Sequence, residues 1–170
     1  MDSDKRYSYK KRITINKGKV GFKKDDDYYT PINFIKRFLE PDYDPATTDY
    51  RAELLGVKHY DTIDTDGLKQ DWTKYKKIWI NPPFTKKKEF LQKAVETYNT
   101  TRADIYYLCP VEFLTTKTFH EIIGAAQGGI IYLPNGRIKF EKNDGMKNSP
   151  AFGSVVVKIG GGWSITTIEI

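Results

Sequence analysis

Cysteine occurs once in this 170-residue chain and histidine twice, which closes two common kinds of site chemistry at the outset. The lone Cys109 can make no intrachain disulfide, and with only His59 and His120 beside it there is no ligand cluster spaced for zinc. No metal is expected. Cys109 stands in the apolar run Ile105-Tyr106-Tyr107-Leu108-Cys109-Pro110, where a buried structural thiol is expected, not a nucleophile. No apolar run is long enough to span a membrane, no signal-peptide pattern opens the chain and no internal repeat is visible. The expectation is a soluble, intracellular protein without a membrane partner, its length suited to one domain with a sizeable core.

Acidic residues are scarce where basic ones gather. Up to Lys24 the basic residues are Lys5, Arg6, Lys10, Lys11, Arg12, Lys17, Lys19, Lys23 and Lys24, against only Asp2 and Asp4. The remainder carries 19 basic and 20 acidic residues, so the whole excess of the +6 net charge sits in the first 24 positions. Tyr7, Tyr9 and Phe22 are interleaved there, the mix of a segment that tracks phosphates and stacks on bases, with Lys10, Lys11 and Arg12 at its centre. A solubilising tail has the same composition. The division expected is a basic arm over 1–24 and a single domain over 25–170.

Beyond the arm, strands and helices alternate. Thr30 as N-cap and Pro31 at the first helical position predict a helix whose apolar face is Ile32, Ile35, Phe38 and Leu39, ending before Pro41. Asp42 to Thr48 reads as a strand end and turn, Asp49 to Leu55 as a helix stopped by Gly56, and Val57 to Ile63 as a weak strand. Asp64 to Tyr75 is polar and turn-rich, and Lys77 to Ile80 is a buried strand. Thr85 is expected to cap a helix with apolar positions Phe90, Leu91, Ala94, Val95 and Tyr98. A strand over Ala103 to Cys109, a helix over Lys117 to Gln127 stopped by Gly128-Gly129, and a strand over Ile130 to Leu133 follow. Pro134-Asn135-Gly136 reads as a hairpin turn into Arg137 to Phe140, then a mobile polar loop over Glu141 to Pro150. Two last strands, Ser154 to Ile159 and Trp163 to Ile170, flank Gly160-Gly161-Gly162. This order predicts an α/β fold, a mainly parallel sheet with antiparallel hairpin strands at its C-terminal end.

The stretch with the most chemistry is Asn81-Pro82-Pro83-Phe84, directly after the apolar strand Ile78-Trp79-Ile80. An Asn side-chain oxygen and the carbonyl of the first Pro can each accept one N–H of an exocyclic amino group, localising its lone pair and aiming it. Two prolines fix φ and remove competing backbone donors, and the aromatic offers a stacking surface to a base. The tetrad is also an ordinary strand-to-turn exit. It is similar to the catalytic loop of amino-methyltransferases, which transfer the methyl group of S-adenosylmethionine to a base nitrogen.

In an open α/β sheet, ligands lie beyond the carboxyl ends of the strands, and three further segments fall there. Tyr29-Thr30-Pro31 joins a hydroxyl to a helix start suited to a methionine carboxylate, or is a plain helix cap. Asp44-Pro45-Ala46-Thr47-Thr48 puts an acid where a cofactor's positive end could lie, or is a β-turn. Asp64, Asp66 and Asp71 can accept from ribose hydroxyls or from the cofactor's adenine amino group, or are simply solvated.

Taken in order, Tyr29-Thr30-Pro31, Asp44-Pro45-Ala46, Asp66-Gly67-Leu68 with Asp71-Trp72, Trp79 to Phe84, Tyr107-Leu108-Cys109-Pro110, Gly136 to Phe140 and Phe152-Gly153-Ser154-Val155-Val156 resemble the Dam-like N6-adenine DNA methyltransferases of phages and prophages. The likeness spans roughly 27–158. It implies a class I Rossmann-like methyltransferase fold, S-adenosylmethionine as cofactor, and methylation of the amino group of adenine in DNA. A phage origin would place the protein in the cytoplasm of a bacterial host. Asn81 to Phe84 would be the catalytic loop, and Thr30, Pro31, Asp44, Asp66 and Asp71 would line the cofactor pocket. Asp44 to Thr48 lacks the glycines common in the cofactor loop of larger methyltransferases, so close backbone approach must be managed differently. Between Asp44 and Asn81 there are also too few residues for a full set of strand–helix units.

These residues lead to an expectation of direct methyl transfer to an extruded adenine, with Phe84 stacked on the ring and Asn81 and the Pro82 carbonyl holding the amino group. Lys86, Lys87, Arg137, Lys139 and Phe140 are the expected nucleic-acid contacts of the domain. The same tetrad could serve an RNA adenine, a cytosine amino group or a glutamine amide, and a catalytically silent nucleic-acid-binding protein could keep the fold.

Overall fold

The computed structural model describes residues 13–16, 19–22, 29–141, 147–148 and 152–170, with side chains described from Tyr29 onward outside 147–148. Two strands near the start, β1 (Ile13–Asn16) and β2 (Lys19–Phe22), pair antiparallel as a ribbon of their own. The elements that follow are α1 (Ile32–Ile35), β3 (Tyr43–Asp44), α2 (Asp49–Leu55), β4 (His59–Tyr60), β5 (Lys77–Ile80), α3 (Lys87–Thr101) and β6 (Asp104–Pro110). After them come α4 (Lys117–Gly124), β7 (Gly129–Pro134), β8 (Phe140–Glu141), β9 (Lys147–Asn148), β10 (Ser154–Ile159) and β11 (Ser164–Ile168).

Among the described residues seven strands form the main sheet, in the order β11-β7-β10-β6-β5-β3-β4. Every neighbouring pair is parallel except those made by β10, which runs antiparallel to both β6 and β7. Side chains alternate between two cores with the period of two that a strand imposes. Ile78, Ile80, Ile105, Tyr107, Val155 and Val157 meet α3 and α4 on one face, packed on Phe90, Leu91, Phe119 and Ile123. Trp79, Tyr106, Leu108 and Val156 meet α1 and α2 on the other, packed on Phe34, Ile35, Ala52 and Leu55. Burial on both sides explains why these strands read as continuous apolar runs, and the layering is the Rossmann-like α/β arrangement.

The chain leaves β3 through α2 for β4 on one side, whereas β5 and β6 lie on the other side of β3. The winding direction therefore reverses between β3 and β5. At such a switch point the carboxyl ends of the two strands open a crevice, and here those ends are Asp44 and Ile80, with Asn81 directly after.

Several sequence expectations change in detail. Thr30 does not cap α1: Pro31 is the N-cap, with no side-chain cap, because the Thr30 hydroxyl is turned to Asn81. Thr85 does not cap α3 either, since it lies inside a single helical turn, Phe84–Lys86, that runs straight into the helix. The helix expected to reach Gln127 ends at Gly124, before Gln127 and Gly128 take positive φ of 60° and 93°. Arg137 to Phe140 does not fold back on β7 as a hairpin: both edges of β7 are taken by β10 and β11, and β8 pairs with β9 instead. The antiparallel strand does come from the C-terminal end, but it is inserted inside the sheet. Gly160, Gly161 and Gly162, all with φ between 80° and 84°, turn the chain so that β11 reaches the far edge of β7. Most of the loop expected over Glu141 to Pro150 lies outside the described residues.

Candidate active site

Two clefts open beside Asn81, which lines both. The first encloses about 450 Å³, open to solvent, between Asn81, Pro82, Phe84, Lys87, Leu108, Cys109, Pro110, Phe140, Phe152 and Ser154. The second, about 300 Å³, lies over the switch point and is lined by Tyr29, Thr30, Ile32, Ile35, Asp44, Ala46, Thr47, Arg51, Leu55, Trp79 and Asn81. Asn81 donates from Nδ2 to Thr30 Oγ1 at 3.2 Å. That bond commits the nitrogen of the amide and sets Oδ1 on its other branch, as an acceptor.

Thr30 is itself held from behind. Its carbonyl accepts from Arg51, a buried guanidinium that also pairs with Glu141 Oε2 at 2.7 Å and lies 5.3 Å from the Tyr29 ring. Tyr29 and Glu141 exchange two backbone hydrogen bonds of 2.9 Å. Breaking a buried ion pair costs about 3–5 kcal/mol, less here because Glu141 is 31% exposed, whereas an exposed pair such as Lys86–Glu89 contributes under about 1 kcal/mol. Arg51 therefore fixes the Tyr29-Thr30 segment over α2.

Asp44 ends β3 and is only 5% exposed. Burial pushes its carboxyl up to about 7, against the Ala46 N–H, which donates to Oδ1 at 3.1 Å, and the Arg51 charge, which both pull it down. A carboxylate held in this state is suited to a cationic ligand. The glycine missing from this loop is supplied from elsewhere: a Cβ on Gly67 would stand 2.0 Å from the Pro45 carbonyl oxygen, so Gly67 is what lets the two loops touch.

In the first cleft the Lys87 ammonium sits 3.9 Å from the Phe84 ring centroid and donates to the Phe84 carbonyl at 3.3 Å. Desolvation lowers its pKa, while burial pushes the neighbouring Cys109 thiol up, away from reactivity. Phe152 faces Phe84 with ring centroids 6.4 Å apart and planes tilted by 42°.

The structure thus brings Tyr29, Thr30, Asp44 and Ala46 together with Asn81, and Asn81 together with Pro82 and Phe84. Pro83 caps the Phe84–Lys86 turn, and Pro31 caps α1. Pro45 packs on Gly67. Asp64, Asp66 and Asp71 line neither cleft: Asp64 is exposed, Asp66 accepts from Leu68 N, and Asp71 accepts from the backbone and hydroxyl of Thr73. Lys86, Arg137 and Lys139 are exposed, Lys87 is in the cleft wall, and Phe140 is buried at 4%. Lys10, Lys11 and Arg12 lie outside the described residues.

Sequence reasoning passed over Arg51, Asp61 and Phe152. Asp61 follows β4, is buried, and accepts from Tyr43 Oη at 2.6 Å. An acid at the carboxyl end of the second strand was its available signal. Phe152 escapes the rule that site residues follow their strands, because an antiparallel strand starts at the end of the sheet that carries the site. Among the described residues no group of three or more His, Cys, Asp or Glu could hold a metal ion, and no helix is long and apolar enough to cross a membrane.

A search of curated proteins gave no match. The model of one family, described as DNA N-6-adenine-methyltransferase (Dam), matches residues 18–159, which takes in both clefts and every strand of the main sheet but β11. The chain belongs to the DNA N-6-adenine-methyltransferase (Dam) family.

Proposed function

We propose that this protein transfers the methyl group of S-adenosylmethionine to the N6 amino group of adenine in DNA, and that it does so on an extruded base. The observation that carries the reading is the position of Asn81, shared by a switch-point cleft with a buried acid and an aromatic-walled cleft beside it. The switch-point cleft fits the cofactor: the Asp44 carboxylate complements a cation, Thr30 and Thr47 offer polar groups, and Trp79, Ile35 and Leu55 form an apolar wall. Asp61, at the end of β4, follows its strand as a ribose ligand would, but it lines neither cleft and accepts from Tyr43 Oη. When bound, the cofactor supplies an electrophilic methyl group.

The protein contributes alignment. Asn81 Oδ1 accepts one N–H of the adenine amino group and the Pro82 carbonyl accepts the other, which localises the nitrogen lone pair and stabilises the positive charge that grows there. Thr30 keeps Asn81 in that orientation. Phe84, anchored through Lys87, stacks on the ring. No enzyme nucleophile is required, in keeping with the inert, buried Cys109.

The test is methyl transfer from labelled cofactor to unmethylated DNA, followed by nucleoside analysis. N6-methyladenine in the product, lost by about two or more orders of magnitude in Asn81→Ala while cofactor binding persists, supports the reading. Label confined to cytosine, RNA or protein, or wild-type turnover in the variant, overturns it.

A further inference from the structure

Lys93 lines neither cleft and has no role in the mechanism above, yet it reaches the loops that build the switch-point cleft. It stands about two turns into α3, the helix that follows the Phe84–Lys86 turn without a break. Phe90 and Lys93, three apart, share one face of that helix. Both meet Trp72: the Phe90 ring centroid lies 6.0 Å from that of the indole, and the Lys93 ammonium 5.5 Å from it.

From there the ammonium donates to the Leu68 carbonyl at 2.7 Å, while Trp72 Nε1 donates to the Gly67 carbonyl at 2.8 Å. Two successive carbonyls of the Gly67–Lys69 turn are thus held, one by α3 and one by a side chain packed on α3. Desolvation lowers the Lys93 pKa, so the ammonium has given up part of its hydration, and the Leu68 carbonyl replaces some of it. The other side of the turn bears on the cofactor loop. Gly67 leaves no room for a Cβ against the Pro45 carbonyl, and Pro45 directly follows Asp44, the buried acid of the switch-point cleft. Pressed between α3 and Pro45, the turn passes the position of one to the other.

We propose that Lys93 is a positioning residue for S-adenosylmethionine: by holding the Leu68 carbonyl it fixes the Gly67 turn against Pro45, and so sets the Asp44 loop relative to the catalytic loop at the start of α3. This rests on the reading that the switch-point cleft holds the cofactor. A lysine that merely decorates the helix would leave the cleft indifferent to its loss.

The test uses the full chain and measures the cofactor dissociation constant by calorimetry, KM for each substrate, and hydrogen exchange over residues 66–72 in cofactor-free protein. Lys93→Met keeps an apolar stem against Trp72 and removes the donor. It is expected to raise the cofactor dissociation constant and KM about ten-fold, the scale of a hydrogen bond from a charged group. Exchange over 66–72 should quicken, while KM for DNA and kcat at saturating cofactor should change little. Lys93→Arg, which keeps a cationic donor, should bind cofactor more tightly than Lys93→Met. A role confined to stability would lower the thermal midpoint and leave the cofactor affinity of the folded protein as in wild type, and that result overturns the proposal. Equal loss in the Met and Arg variants overturns it too. Should Lys93→Met not fold, Lys93→Gln, a shorter neutral donor, takes its place, and an unchanged dissociation constant there is equally fatal. A wild-type protein that binds no S-adenosylmethionine would instead remove the reading of the cleft itself.

Discussion

Asn81 and Thr30, 51 positions apart, are joined by a side-chain hydrogen bond of 3.2 Å at the point where the two clefts meet. The same hydroxyl that the sequence offers as a helix cap is used to orient the amide of the tetrad. Thr30→Val keeps the shape of the side chain and removes the acceptor. A lost bond to a partly buried polar group is worth about 1–3 kcal/mol, so the single-turnover rate at saturating cofactor should fall about ten-fold or more. Thr30→Ser should restore it. Equal rates in the Val variant and wild type would show that Asn81 needs no such support.

Asp44 supplies a pH dependence. Its carboxyl is raised from 3.8 to about 7 by burial, so between those values the folded state holds a proton that the unfolded state has lost. Stability from this group therefore falls as pH rises from about 4 to about 7 and is level above that. Asp44→Asn should be more stable than wild type, by a margin that widens over the same range, when thermal midpoints are compared at pH 5 and pH 8. Cofactor affinity should move the other way: it should strengthen through pH 7 in wild type, as the carboxylate forms, and stay weak and flat in the variant. A variant that binds cofactor as wild type does at pH 8 would place the cationic end elsewhere.

Strands buried on both faces, such as Lys77–Ile80, and a helix with both caps in place, such as Asp49–Leu55 before Gly56, were legible because local pattern and tertiary position agree there. Thr30, Thr85 and Asn135 were misread for the opposite reason. Each has a local signal for a cap or turn, and each is claimed by a partner or by a neighbouring element that the sequence does not announce. Asn135, expected in a hairpin, donates from its backbone to Ile168 O and accepts from Ile170 N at the edge strand. Asp66 and Asp71 carried the acidic signal expected of ribose ligands, but they tie down their own turns beside Gly67.

Gly67 gives that turn its consequence. An alanine Cβ there meets the Pro45 carbonyl oxygen at 2.0 Å, and this backbone atom belongs to the loop that follows Asp44. Overpacking of this kind costs about 1–3 kcal/mol, and relief requires the Asp44 loop to shift. Gly67→Ala should lower the thermal midpoint and weaken cofactor binding together, while Gly161→Ala, strained only in φ and with nothing within 4 Å, should lower stability alone. Calorimetry and equilibrium dialysis on the two variants separate these effects. Undiminished cofactor affinity in Gly67→Ala would show that the loop position does not govern the cleft.

The proposed role of residues 1–24 rests on charge alone. Residues 1–24 hold all of the excess positive charge, and the remaining 146 carry 19 basic against 20 acidic side chains. If the arm follows the phosphate backbone, its removal should weaken duplex binding about equally for all sequences. The slope of log K against log salt should flatten by about 0.9 for every phosphate that the arm neutralises. Association should slow most at low salt, where long-range attraction matters. Cofactor affinity should hardly change, because both clefts are lined by residues from Tyr29 onward. Unchanged affinity and slope after truncation would move the duplex-binding surface to the exposed Lys86, Lys88, Arg137 and Lys139, whose charge reversal would then have to reproduce the effect expected of the arm.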